Sequence, residues 1–584
     1  MRSIASRGWK LAGALGLAVG IVVVAAAPAF AHATLQSESP SADGVVATSP
    51  SQVQLTFDEN VEVSFGSIAV YDAKGHRVDI GAPHHSATSD HSIEATVPHL
   101  ANGSYVLTWR VISADSHPVH GAYTFSIGKS SANASGEAAK LEAAGGGNKT
   151  VGVIFAIARA AVFGGIALLI GGVVFAAAVR PRGRRRSRAD SLVFIGWTTV
   201  FVATIATLLL QGPYAGGLGL SEVFHSAVVR AVLHTRYGHL IEIRLLLLLA
   251  ALPLLFILRR SWNPEPWWWA LAVPLGFGIS ATPGLAGHAA TGTFTQLAVP
   301  LATLHVVAMG VWLGGLAALT LTVIDRDPDS NRSADNFSPV ALSSVMVIVA
   351  SGVFAAWRQV GWSVDAFRHT TYGLILLAKL AVFVALIALA AWSRQIVHAR
   401  RPLSLSAAVA TETTSAGGTR TEPADPGAHP LRWSVGGELI FGIAVLVITS
   451  MLVNSQPARS ALSLPYSKTF HEPTMQLNLI VSPAKAGPVD IHVYTLTPSG
   501  GNLFTPSVTA EMSQGTKIAP ITIPLVRAGP NHFLACQSAP SQATGTAVCT
   551  DKFSVPFPGK WVVVIRALRN EFDQVAVQTT VNIR

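Results

Sequence analysis

The sequence predicts a multi-domain membrane protein, with an extracytoplasmic N-terminal β-sandwich, an eight-helix transmembrane bundle and an extracytoplasmic C-terminal β-sandwich. Half of the 584 residues are hydrophobic, only 12% are charged, and the mean hydropathy is +0.45. Such a chain is too apolar for an ordinary soluble protein. The central part contains apolar runs close to the ~20 residues that a spanning helix needs. Polar segments with period-2 alternation lie on both sides of it, which indicates β-strands.

Residues 1–31 have the pattern of a secretory signal peptide. Basic residues precede an apolar run from Leu11 to Ala27, and the small-residue ending Ala29-Phe30-Ala31 follows. Cleavage after Ala31 would make His32 the first residue of the mature protein, with a free α-amino group. The alternative is an uncleaved anchor, which would leave His32 without that amine.

Residues 32–130 are predicted to form a small β-sandwich. Apolar and polar residues alternate at Gln52–Phe57 and again at Tyr105–Trp109. Turn signals such as Asp43-Gly44 separate the strands. Residues 131–150 are rich in Ala, Gly and Ser and are predicted to be a flexible linker.

The N-terminal segment also carries candidate metal ligands. A terminal His32 would offer its amine and a ring nitrogen, while Asp115 and His117 are two residues apart and would share one face of a strand. Three nitrogens and a carboxylate oxygen suit tetragonal Cu(II). A candidate secondary copper site comprises His84, His85 and His91, for which the alternative is a solvated loop.

These residues resemble a known family. The stretch Trp109-Arg110-Val111-Ile112-Ser113-Ala114-Asp115-Ser116-His117-Pro118, together with a mature N-terminal histidine, is similar to the CopC family of periplasmic copper proteins. The resemblance implies that His32, Asp115 and His117 bind Cu(II). Some members also have a methionine-rich Cu(I) loop, but residues 32–128 contain no methionine.

The predicted membrane domain covers residues 151–455. Basic residues are concentrated in short loops, which places those loops in the cytoplasm and both β-sandwiches outside. The net charge of +10 is therefore explained by topology and does not indicate nucleic-acid binding. Residues 395–432 are predicted to form a partly disordered cytoplasmic loop. The eight predicted spans are 151–178, 191–212, 238–258, 267–285, 297–323, 338–358, 371–393 and 435–454.

Several histidines fall at the outer side of this domain, and His239, His288 and His305 are candidates for a transport path. His305 lies inside an apolar helix, where a histidine is costly unless it has a functional role. Met309 is one turn further along, and the two side chains together suit Cu(I). For His239 and His288 the alternative is an ordinary loop residue, whereas for His305 a functional role is the default. The segment from His305 through Trp312-Leu313-Gly314-Gly315 resembles the CopD family, which implies copper movement across the membrane.

Residues 456–584 return to a strand pattern, as at Val489–Tyr494 and Trp561–Ile565. Leu479-Ile480-Val481-Ser482-Pro483 and Pro558-Gly559-Lys560-Trp561 resemble the YtkA-like domain. Candidate copper ligands in this domain are His471, Met475, His492 and His532, and the alternative is a purely structural domain. Cys536 and Cys549 are predicted to form a disulfide, since a thiolate metal site usually needs more sulfur.

The combined pattern resembles CopC/CopD fusion proteins. It predicts copper uptake across the cytoplasmic membrane, with Cu(II) captured outside and moved through the bundle as Cu(I). The alternative is a copper buffer, tolerance or oxidase-assembly delivery factor that moves no metal across. The expected partners are the copper ion, the lipid bilayer, and an extracytoplasmic chaperone or reductant. Enzymatic oxidation by a histidine brace is not expected, because Asp115 would fill the position that oxygen needs.

Overall fold

The structure is a computed structural model. It describes residues 33–583 except for 34, 41–44, 47, 58, 64–67, 88, 129–146, 182–187, 262–263, 326, 400–427, 460–465, 483, 499–502, 516–517, 529–530, 538–550 and 571–572. The signal peptide, His32, Cys549, most of the linker and most of the 395–432 loop lie outside the described residues.

The N-terminal part is a β domain of two facing sheets. One sheet has the order β1-β3-β8-β7, and the other has the order β2-β10-β9-β5-β6 with β4 paired to β9. Alternate residues point inward, so that Val53, Leu55 and Phe57 of β3 are buried while the residues between them are not. The strands are β1 Leu35–Ser39, β2 Val45–Val46, β3 Gln52–Phe57, β4 Val61–Glu62, β5 Ile68–Asp72, β6 Arg77–Val78, β7 His84–Ser86, β8 Ser89–Thr96, β9 Gly103–Ser113 and β10 Pro118–Ile127.

The central part is a helical bundle. Its described helices are α1 Lys149–Val174, α2 Arg188–Gly216, α3 Ser226–Leu233, α4 Arg236–Ser261, α5 Pro266–Leu285, α6 Thr295–Ile324, α7 Ser330–Val360, α8 Val364–His369, α9 Thr371–Ala399 and α10 Ala428–Val453. A π-helical turn, Phe175–Val179, extends α1. Among the described residues, 6 helices are long and apolar enough to cross a membrane, and they are α1, α2, α4, α6, α7 and α9. The count of eight spans stays a prediction.

Glycines let two neighbouring helices approach α1 closely. A Cβ on Gly314 of α6 would lie 1.9 Å from the carbonyl oxygen of Ala167 on α1. On the other side of α1, a Cβ on Gly196 of α2 would lie 2.4 Å from the backbone nitrogen of Leu169. Both helices therefore pack backbone against backbone with α1, as small residues allow within membranes.

The C-terminal part is a second β domain of two sheets, with the orders β11-β12-β13-β17-β16 and β15-β14-β19-β20, and β18 pairs with β13. Met475 and Trp561 are fully buried in the core between the sheets. Cys536 is also buried, and its disulfide with Cys549 stays a prediction. The strands are β11 Tyr466–His471, β12 Gln476–Ser482, β13 Gly487–Leu496, β14 Ser507–Gln514, β15 Ile518–Ile523, β16 Leu525–Arg527, β17 His532–Ala535, β18 Phe553–Val555, β19 Gly559–Asn570 and β20 Asp573–Ile583.

Candidate metal centre

Asp115 and His117 lie in the turn between β9 and β10. The expectation that they share one face of a strand is wrong, since β9 ends at Ser113 and β10 begins at Pro118. Ser116 between them has a φ of 71°, in the left-handed region that a short polar side chain tolerates in tight turns. This turn brings the two side chains together, with His117 Nδ1 3.2 Å from Asp115 Oδ1.

The turn holds the Asp115 carboxylate in a fixed position. The Ser113 hydroxyl donates a short hydrogen bond to Asp115 Oδ1, and the His117 backbone N–H donates to the same oxygen at 3.2 Å. Asp115 is fully buried and His117 is nearly so. Burial lowers the pKa of the His117 imidazole, which opposes the raising effect of the neighbouring carboxylate. The imidazole is therefore neutral at neutral pH, as a metal ligand must be.

A third candidate ligand comes from the helical bundle. His288 opens the 3₁₀ turn His288–Ala290 between α5 and α6, and its Nδ1 lies 2.7 Å from Asp115 Oδ2. Its ring stacks on that of His117 with the centroids 4.9 Å apart. One ligand atom from each of Asp115, His117 and His288 lies within 4.8 Å of the others, and no other such group occurs among the described residues. Two imidazoles and a carboxylate are ligands suited to Cu(II).

The His288 segment is held from the opposite side by Arg358 in the last turn of α7. The guanidinium donates to the carbonyl oxygens of His288 and Thr293 at 3.0 Å each, and to that of Thr291 by a still shorter bond. Arg358 is itself buried. A rigid guanidinium that donates to three carbonyls of one short segment restricts the segment, and so fixes the position of the His288 ring.

The two domains meet around this cluster through further hydrogen bonds. Arg110 of β9 donates to the carbonyl oxygens of Tyr214 and Ala215 at the end of α2. Arg236, the first residue of α4, donates from its backbone N–H to Glu62 and from its side chain to the carbonyls of Ala114 and Leu285. Gln211 of α2 donates to the Ser116 carbonyl oxygen at 3.4 Å.

The guanidinium group of Arg159 lies on the bundle side of the cluster. Arg159 of α1 has its Nη1 3.4 Å from His117 Nε2 and 2.7 Å from Asn454 Oδ1. The guanidinium also lies over the Phe155 ring at 4.6 Å. A permanently charged group thus donates to one nitrogen of His117, while the other nitrogen faces Asp115.

The other predicted path residues lie apart from this cluster. His305 is in α6, and its Nδ1 is 2.9 Å from the hydroxyl of Ser351 on α7. Met309 follows one turn along α6 and is partly buried against neighbouring apolar side chains. His239 is exposed near the start of α4.

The three histidines of the candidate secondary site do not converge. His84 and His85 are neighbours on β7 and point to opposite faces of the sheet. His84 Nε2 is 3.8 Å from a carboxylate oxygen of Glu94, and His91 is exposed on β8. Metal binding by this group stays a prediction, as does binding by His32.

Sequence analysis did not identify Arg159 or Arg358, and it did not connect His288 with Asp115. The available signal for the two arginines is their position, since each lies within a predicted span, where a charged side chain is costly without partners. No pattern in the sequence relates residues 115 and 288, which are 173 positions apart.

Three family models match the chain. The CopC domain matches residues 35–128, the copper resistance protein D-like N-terminal domain matches residues 150–297, and copper resistance protein D matches residues 331–452. The C-terminal β domain lies outside these matches, and its resemblance to the YtkA-like domain stays a prediction.

Three known proteins are similar to this chain. The copper transport protein CutJ of Bacillus subtilis is 26% identical over 94% of this chain and 96% of its own length. Copper resistance protein C of Escherichia coli is 35% identical over 18% of this chain and 90% of its own length. The crystal structure of CopC from Methylosinus trichosporium is 38% identical and covers 16% of this chain and 93% of that one, with a TM-score of 0.16. The chain belongs to the family of copper transport and resistance proteins in which a CopC domain and a CopD domain are joined.

Proposed function

We propose that this protein takes up copper across the cytoplasmic membrane, and that the Asp115, His117 and His288 cluster is where the metal passes from the N-terminal β domain to the helical bundle. One observation carries the proposal. Two of the three ligands belong to the β domain and the third belongs to the bundle, so a metal held there contacts both domains at once. A site used only for storage would not need a ligand from the membrane domain.

Cu(II) is captured first by the β domain. His32, freed by signal-peptide cleavage, adds its amine and ring nitrogen to Asp115 and His117 in this proposal. Ala33, the next residue, is buried in the core of the β domain. Both β domains lie outside the cytoplasm and eight helices cross the membrane, in the orientation that the basic loops favour.

The next step leads inward along α6 and α7. Arg358 holds the His288 segment, and Ser351 contacts His305. These two residues are seven positions apart on α7, which corresponds to roughly 10 Å along a helix axis. His305 and Met309 form a second copper site inside the bundle. Their imidazole and thioether favour Cu(I), so copper is reduced by an external reductant between the Asp115, His117 and His288 cluster and this second site.

Substitution of His288 tests the proposal. The initial rate of radioactive copper uptake is measured in cells that express the full chain, with membrane abundance checked by immunoblot. We expect His288→Ala to lower the rate by about tenfold or more. The matched control is His225→Ala, which changes an exposed histidine next to Glu222 at the same end of the bundle and should leave uptake unchanged. Equal uptake by His288→Ala and the wild type would refute the hand-off.

His305→Ala separates uptake from the alternative of a buffer or delivery factor. Uptake requires a second copper site inside the bundle, whereas a buffer needs only the outer ligands. If the variant binds Cu(II) normally and no longer accumulates copper in the cell, the bundle carries the metal. If accumulation persists, the protein holds copper without moving it through His305.

A further inference from the structure

Two histidines of the C-terminal β domain lie on neighbouring strands of one sheet. His492 is on β13 and His532 is on β17, which pair in antiparallel fashion with Tyr494 opposite His532 and His492 opposite Leu534. Inward-facing residues of β13 such as Val493 are fully buried, so His492 and Tyr494 belong to the other face of the sheet. His492 and His532 are therefore a diagonal cross-strand pair on this outer face.

The pair has the spacing of two ligands of one metal ion. His492 Nδ1 and His532 Nε2 are 2.9 Å apart. Metal–imidazole bonds of about 2.0–2.1 Å that meet at a right angle also place two nitrogens about 2.9 Å apart. A shift of the shared proton to the far nitrogen of its own ring would free both facing nitrogens, without a change of net charge.

The rings are also restricted in orientation. The planes of His492 and His532 are 15° apart with the centroids at 5.1 Å, and Tyr494 stacks on His532 at 4.4 Å. Because the ring centroids are 5.1 Å apart while the facing nitrogens are 2.9 Å apart, the two imidazoles meet edge to edge, and each ring must turn for both nitrogens to point at one metal ion. The stacked Tyr494 limits the other movements of the His532 ring.

We propose that His492 and His532 form a second copper site, in which two imidazoles occupy adjacent positions of a tetragonal Cu(II) ion and water completes the coordination. The identity of the metal as copper rests on the proposed function, whereas the histidine pair as a metal site does not. Met475 is not part of it, because its side chain is fully buried in the core.

The surroundings of the pair agree with a metal site. Burial lowers the pKa of His492 and lowers that of His532 to about 4, so that both imidazoles are neutral at neutral pH. Lys552 and Asp490, whose charges act on His492 with opposite signs, form an ion pair with 2.8 Å between Nζ and Oδ2.

The site also lies close to the N-terminal domain. The carboxylate of Glu38 on β1 contributes to raising the pKa of Tyr494, after the larger effect of burial. It contributes in the same way to the raised pKa of Tyr123 in the N-terminal domain. Glu38, on the edge strand that follows the predicted capture residue His32, is therefore within electrostatic range of Tyr494. Copper held by the pair would be stored beside the capture domain.

The test uses the full chain in lipid nanodiscs, purified through a histidine-free tag, with Asp115→Ala and His117→Ala already introduced. Cu(II) is titrated against a competing chelator, and the number of bound equivalents is compared with and without His492→Ala plus His532→Ala. We expect the added pair to remove one equivalent. Tyr494→Phe, which keeps the ring stack and removes only the hydroxyl, is the matched control and should retain it.

A second measurement does not depend on how the variants fold. In the chain with native His492 and His532, modification of histidines by diethylpyrocarbonate is mapped by peptide mass spectrometry, with and without Cu(II). Copper should protect both histidines together. An unchanged number of equivalents, or modification of the pair that is indifferent to copper, would show an ordinary structural hydrogen bond and overturn the proposal. Neither result depends on uptake, so failure here leaves the proposed function untouched.

Discussion

The Asp115 carboxylate connects the two domains at the level of single atoms. One of its oxygens faces His117 and the other faces His288, and the side chain is fully buried. Burial of a carboxylate is expensive unless hydrogen bonds or a cation compensate it. The Ser113 hydroxyl, the His117 backbone N–H and the His288 ring supply this compensation. A cation held between the carboxylate and the two imidazoles would also compensate the buried charge.

Arg358 should influence copper binding without touching the metal. Because it fixes three carbonyls of the His288 segment, Arg358→Gln should let His288 move out of position. Loss of a group that orients a metal ligand typically costs about 10–100-fold in affinity. Competition titration of the full chain measures this. The control is Arg368→Gln, which changes an exposed arginine of α8. Equal affinities for Arg358→Gln and the wild type would contradict the positioning role.

Substitution of Arg159 should raise the affinity for Cu(II), whereas substitution of Arg358 should lower it. Its guanidinium donates to His117 Nε2, so it competes for one ligand nitrogen and repels a bound cation. Like charges at such short range repel by more than about 1 kcal/mol even when screened. Arg159→Gln, which can still donate to Asn454, should therefore bind Cu(II) about tenfold more tightly and deliver it more slowly. Titration and uptake assays check both effects, and weaker binding would refute the argument.

The limits of sequence analysis are visible in these residues. The spacing of Asp115 and His117 is by itself a weak signal, and the predicted terminal His32 and the CopC resemblance point to these two residues, although they lie in a turn and not on a strand. His288 was nominated only because it falls at an outer loop. Its contact with Asp115 depends on how the β domain docks on the bundle, through residues such as Arg110 and Arg236. Local periodicity contains no information about that docking.

At the scale of helices, the glycines of α1 and α6 decide how the bundle packs. Gly171 of α1 faces Gly310 and Gly314 of α6, and a Cβ on Gly171 would lie 2.4 Å from the Gly310 carbonyl oxygen. The sequence predicted the approximate extents of these helices from hydrophobic length alone. It did not predict which helices touch, because the apolar residues lie on all sides of each helix and mark no single face.

Gly314→Ala should destabilise the bundle. The added methyl group would lie 1.9 Å from the Ala167 carbonyl oxygen, so α1 and α6 must separate. We expect a lower thermal unfolding temperature in detergent and less protein in the membrane. Gly164→Ala is the matched control, since a Cβ there meets nothing within 4 Å and alanine is the better helix former. If the two variants are equally stable, close packing at Gly314 is not what holds α6 against α1.

At the scale of the whole molecule, the N-terminal β domain is attached to the bundle by few contacts that are mostly polar. Arg110 and Arg236 provide most of the hydrogen bonds described between the two domains, and the candidate metal cluster lies between them. Polar contacts of this kind resemble those of interfaces that open and close. The chain thus combines a buried ligand cluster with a separable interface, as a protein that loads and releases a metal requires.

Arg110→Ala combined with Arg236→Ala should separate the N-terminal β domain from the bundle. None of the candidate ligand residues is substituted in this variant. Hydrogen exchange of the full chain in nanodiscs, followed at the 113–117 turn, should rise because the turn loses its cover. Cu(II) should reverse the rise, since a ligand bound at a hundredfold excess over its Kd stabilises the assembled state by about 2.7 kcal/mol. The same double variant with His288→Ala is the control, and copper should restore less of its protection, because only the β-domain ligands then hold the metal. If copper protects the turn equally with and without His288, the metal is held by the β domain alone, and the bridge between the domains is not a copper site.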